Sequence, residues 1–164
     1  MQSDKLSVIA KEKMRRISVA LAAIVFVSVP LTAQTKPNFS GIWKINVRQS
    51  DFGPFETPTK GWSMNIDHRE PEIWTMPVDD PAEKRVIYTD GRESQHESKE
   101  FGHITMTATW DKTALIITSK YRDIKQTDRW VLSADGKTLT SSRHLESPMG
   151  DGDLKHVYEK QEKE

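Results

Sequence analysis

The 164-residue chain contains no cysteine. Disulfides, thiolate metal sites, a thiol nucleophile and a lipid anchor on a cysteine after the leader are all excluded. Alanine is scarce after residue 33, with only Ala82, Ala108, Ala114 and Ala134, so little helix is expected there. Net charge is missing too, with 24 basic and 24 acidic side chains. The balance is uneven along the chain. Residues 1–33 hold Lys5, Lys11, Lys13, Arg15 and Arg16 against Asp4 and Glu12, which leaves the remainder at −3. A mildly acidic remainder without a basic block argues against binding to nucleic-acid backbones. It argues equally against a polybasic membrane-surface protein. The chain also lacks HExxH or HxH spacing, a Gly-x-Ser-x-Gly elbow and a glycine-rich phosphate loop.

What is present begins with a leader. Arg15-Arg16 precede the apolar run from Ile17 to Val29, followed by Pro30, Leu31, Thr32, Ala33 and Gln34. A basic segment, a short apolar run and a small residue are the parts of a secretory signal. The run is shorter than the roughly 20 apolar residues that span a bilayer. Cleavage is expected after Ala33, with Met14 as a possible true start. The resulting boundaries are a signal helix over 1–33, one domain over 34–160 and a charged tail over 161–164. The mature chain is expected in the bacterial periplasm or outside the cell; an uncleaved N-terminal anchor is the alternative.

The mature part alternates with period 2, the signature of strands with one buried face. From His103 to Trp110, Ile104, Met106, Ala108 and Trp110 point one way and Thr105, Thr107 and Thr109 the other. Leu115, Ile117, Ser119 and Tyr121 share a face in the next run, and Trp130 and Leu132 follow. Ala134-Asp135-Gly136-Lys137 is a hairpin signal, because Asp-Gly accommodates the positive φ that a tight turn needs. Earlier runs lie at 42–48, 62–68, 72–76 and 84–89. Glu93 to Ser98 is polar on both faces, so edge strand and loop stay open. Gln49 to Thr59, with Gly53, Pro54 and Pro58, reads as a long connection able to lie over one end of the fold. The charged tail is expected to fray from Lys160. The fold class is all-β: an antiparallel up-and-down meander of eight to ten strands, closed as a barrel or stacked as a sandwich.

The opening Phe39-Ser40-Gly41-Ile42-Trp43-Lys44 resembles the first strand of the lipocalin and fatty-acid-binding-protein group, the calycins, with its Gly-x-Trp after an apolar residue. The resemblance implies a lipocalin-like β-barrel stoppered at one end by Trp43, with Gly41 beside it. It also implies a basic side chain across the ring, from Arg143 or Lys155. The stretch through Ser50-Asp51-Phe52-Gly53, the Trp110-Asp111 turn and Leu132 to Leu139 are similar to small bacterial exported proteins without an assigned activity.

The mature chain carries five tryptophans and three tyrosines. Met106, Trp110, Ile117, Tyr121, Trp130 and Leu132 are the candidate ligand-binding residues, if they line a cavity rather than fill a core. The five histidines are scattered; His96 and His103 are the pair to watch, but no metal site is assigned. Asp151-Gly152-Asp153 lacks the further oxygen ligands of a calcium loop and reads as a turn. No catalytic residue and no cofactor is assigned.

Three functions compete. The first is an exported lipocalin-like protein that holds a small apolar or amphipathic molecule non-covalently in a barrel cavity. The second is a solid barrel or sandwich that docks envelope proteins, with no cavity and an exposed apolar patch around Phe52, Phe55 and Trp74. The third is an enzyme on the same barrel, which needs a buried polar cluster with a perturbed histidine or carboxylate.

Overall fold

The computed structural model describes residues 35–162. The signal helix expected over 1–33 lies outside the described residues, as do the last two residues of the tail. Ten strands follow one another: β1 (Gly41–Ile45), β2 (Ser63–Arg69), β3 (Glu72–Pro77), β4 (Arg85–Tyr88) and β5 (Ser94–Ser98), then β6 (Gly102–Asp111), β7 (Ala114–Tyr121), β8 (Ile124–Leu132), β9 (Thr138–Glu146) and β10 (Gly152–Gln161). A single 3₁₀ turn, Pro81–Glu83, is the only helical element among the described residues.

The sheet order is β4-β3-β2-β1-β10-β9-β8-β7-β6-β5, antiparallel throughout. The two end strands, β4 and β5, come together without a ladder, so the sheet curls into a barrel closed except at one seam. The up-and-down order puts the loops after β1, β3, β5, β7 and β9 at one end, the open end. The turns after β2, β4, β6 and β8 gather at the other.

Local sequence explains the strands. On β6, Ile104, Met106 and Ala108 are buried while Thr105, Thr107 and Thr109 face outward, as the alternation predicts. The Asp135-Gly136 turn forms with Gly136 at φ +70° and Ser133 N donating to Thr138 O at 2.8 Å. The polar run at 94–98 is an edge strand, paired along its length with β6. The chain stays in the sheet beyond Lys160, because Lys160 pairs with Trp43 and Gln161 with Ile42. Fraying from Lys160 is therefore not what the structure shows.

The core fills the closed end. Trp43, Phe39, Ile66, Ile73, Leu115 and Leu139 are fully buried there. Phe39 stacks on Trp110 at 5.8 Å and meets Trp130 edge-on at 5.7 Å. The Trp43 indole N–H donates to the Phe39 carbonyl at 2.8 Å, which satisfies the one polar group of the buried ring. The cation across Trp43 is Lys160, with Nζ 5.4 Å from the ring centre. Neither expected partner holds that place. Arg143 points into the open half of the barrel, and Lys155 is exposed, tied through its backbone to Asp51. The reason is register: Lys160 lies opposite Trp43, one full turn of alternation beyond the inward residues His156 and Tyr158.

Candidate functional site

Above the core the barrel is hollow. A cavity of about 910 Å³ opens at the loop end. Its apolar wall comes from Phe52 and Phe55 on the β1–β2 loop, Trp62 ahead of β2, Leu145 on β9 and Leu154 on β10. Its polar wall comes from Arg85 on β4, Tyr121 on β7, Gln126 on β8, Arg143 on β9 and His156 on β10. Each strand residue here is in phase with the apolar inward face of its own strand, so period 2 delivers these polar groups to the interior.

The loop over 49–59 does cover one side of the mouth. It is pinned to β10 where Asp51 and Lys155 exchange backbone hydrogen bonds of 2.7 and 2.8 Å. Gly53 follows at φ +58°, and a Cβ there would sit 2.6 Å from the Asp153 carbonyl oxygen, so the loop passes close only because the residue is glycine. Phe52 then turns inward, buried against Trp62 at 6.1 Å and His156 at 5.2 Å.

The charges inside do not cancel. Arg143 Nε donates to Asp128 Oδ1 at 2.8 Å, and Asp128 is also held by Ser141 and Gln126. Burial alone would depress the Arg143 guanidinium, but the Asp128 carboxylate outweighs it and raises the pKa. Arg85 has no such partner; its Nε donates to Thr75 Oγ1 at 3.2 Å. Burial and then the charge of Arg143 lower its pKa, though a guanidinium stays protonated. Two guanidinium groups and one carboxylate thus meet at the cavity floor. His156 is held down to about 4 by burial and by Arg143, so it is neutral at ordinary pH, with its Nδ1 unpartnered among the described residues. Burial also raises the phenols of Tyr121 and Tyr158.

Of the six candidate ligand-binding residues, Tyr121 alone lines this cavity. Met106, Ile117 and Trp130 are buried in the closed-end core, and Trp110 and Leu132 pack against it. Alternation tells inward from outward but not height along the barrel axis, and these five point inward below the cavity. Phe52, Phe55 and Trp74 do not make one patch either. Phe52 is buried, Phe55 is exposed at the mouth, and Trp74 lies under Lys84 Nζ at 4.3 Å. His96 and His103 face opposite sides of their hairpin and bond separately to Glu83 and Glu97. Among the described residues no cluster suits a metal ion.

Comparison with solved structures supplies the family of shapes. The zebrafish ileal bile acid-binding protein, in complex with cholic acid, superposes with a TM-score of 0.56 at 15% identity over 75% of this chain and 98% of its own. A secretory abundant heat-soluble protein from Ramazzottius varieornatus gives 0.59 at 14% identity over 79% and 100%. A point mutant of the fluorescent protein UnaG gives 0.54 at 12% identity over 76% and 97%. The fold is a calycin-type β-barrel. No family model and no curated protein matches the sequence. At these identities the likeness carries the fold alone.

This calycin barrel uses residues that the sequence reading passed over: Arg85, Asp128 and His156, with Arg143 in a different role. A signal for them was present. Arg85 stands two residues before Ile87, Asp128 two before Trp130 and Arg143 two after Ser141, each a polar group in phase with a buried face.

Proposed function

We propose that the mature protein is an exported carrier that holds a small amphipathic anion, its apolar body in the cavity and its charged head between Arg85 and Arg143. The observation that carries this reading is the uncompensated guanidinium of Arg85 on the floor of an enclosed, half-apolar cavity. A buried charge is costly unless paired, and Asp128 already serves Arg143. A ligand with one negative charge balances the interior. The apolar wall accounts for the rest of the binding, at roughly 25 cal/mol per Å² of apolar area buried. The zebrafish neighbour's cholic acid is a molecule of that class. The competing solid module needs a filled interior, which a cavity of 910 Å³ disfavours. Export rests on the leader over 1–33, and amino-terminal sequencing of the natural product is expected to begin at Gln34.

Titration calorimetry with dodecanoic acid and with 1-dodecanol tests the reading. The acid binds at least about tenfold more tightly, as a hydrogen bond to a charged group is worth about 1.5–3 kcal/mol. Arg85→Met removes that preference. Failure of both compounds to bind, or an equal affinity for the two, would overturn it.

A further inference from the structure

The wall of the barrel has one line along which no backbone ladder runs, the seam between β4 and β5. Every other pair of neighbouring strands is joined by a ladder. At the open end, side chains alone fasten the seam. Glu83, at the end of the 3₁₀ turn leading into β4, accepts from the Lys99 backbone N–H and from His96 Nε2, both at 3.0 Å. Asp80, at the start of the same turn, accepts from Lys99 Nζ at 2.8 Å. The Glu83 carboxyl is pulled down to about 2, first by the Lys99 N–H and then by His96, so it is ionised whenever the protein is folded at ordinary pH.

These fasteners are also wall. Asp80, Glu83, Ser98 and Lys99 line the same cavity as Arg85. We infer that the β4–β5 seam is the gate of the cavity and that Glu83 is its bolt. Parting two laddered strands exposes a row of paired backbone groups. Parting β4 from β5 at the open end releases only three polar contacts, all of which water can replace. The Glu83 and His96 side chains are one-fifth and one-tenth exposed, so water reaches the break as it forms. The seam is therefore the cheapest opening in the barrel, and it leads directly to Arg85, two residues beyond Glu83. The inference rests on the cavity being a ligand site, and it adds the route by which ligand enters and leaves.

Stopped-flow exchange of 1-anilinonaphthalene-8-sulfonate, an anionic apolar fluorophore, on the full chain tests it. Glu83→Gln is expected to speed association and dissociation together by about three- to tenfold, with Kd within twofold of the parent. The cysteine-free background permits a second variant, Glu83→Cys with His96→Cys, bridged by a short bifunctional thiol reagent. Bridging is expected to slow both rates at least tenfold relative to the same variant unbridged. Fluorophore that binds but exchanges at equal rates in bridged and unbridged protein would overturn the gate and leave the cavity reading standing. Fluorophore that does not bind to the parent at all would overturn both.

Discussion

Inside the barrel Arg143 and Asp128 form an ion pair at 2.8 Å in which the carboxylate is the more enclosed partner, 5% exposed against 27%. The two ends of the pair therefore carry different penalties. Arg143→Met strands a buried carboxylate, and a loss of about 3 kcal/mol in urea denaturation is expected. Asp128→Asn leaves a guanidinium that still meets cavity water, and the expected loss is about 1–2 kcal/mol. A reversed order would show that Arg143 does not face an open cavity.

His156 makes stability depend on acid. It titrates at about 4 in the folded chain against 6.5 for an ordinary histidine. Between those values the unfolded chain takes up a proton that the folded chain refuses. Stability therefore falls as pH drops from about 6.5 to about 4, by roughly 3 kcal/mol on account of this residue. Unfolding of the parent and of His156→Phe at pH 7 and pH 4 isolates the effect. The variant is expected to lose that much less on acidification; equal losses would contradict the assignment.

Trp62 is the one tryptophan on the cavity wall, while Trp43 and Trp130 lie in the core and Trp110 packs against it. A bound ligand is expected to change tryptophan emission in the parent and in Trp110→Phe but not in Trp62→Phe. A ligand-induced change that survives in Trp62→Phe would place the ligand elsewhere.

Gly41 has φ +144°, and an added Cβ would lie 2.6 Å from Lys160 Cε. The lysine tip can move, whereas the backbone angle cannot relax without disturbing β1. Gly41→Ala is expected to cost about 1–3 kcal/mol, and adding Lys160→Ala recovers little of it. Thermal unfolding of the single and double variants decides the matter; a fully restored melting temperature would assign the cost to the clash instead.

The strands were legible because they are short-range facts. The Thr-alternating run of β6 and the Asp135-Gly136 turn each carry their structure within a few residues. The barrel followed from Gly41 and Trp43 by resemblance. The run at 94–98 resisted reading because its inward residues, Ser94 and His96, are polar, and His96 meets a seam rather than a core. The site was mostly hidden. Trp130 and Tyr121 both point inward, yet one belongs to the core and the other to the cavity. That difference depends on strand stagger around the whole barrel, which no single strand encodes. Arg85 and Asp128 were findable only as charged groups in step with apolar ones.

The barrel packed solid around Trp43 and vacant above Arg143 separates two evolutionary constraints on one chain. Substitutions that reshape the upper chamber leave the aromatic floor, and with it the folding of the polypeptide, largely untouched. A lineage built this way can change what it carries without first rebuilding how it stands.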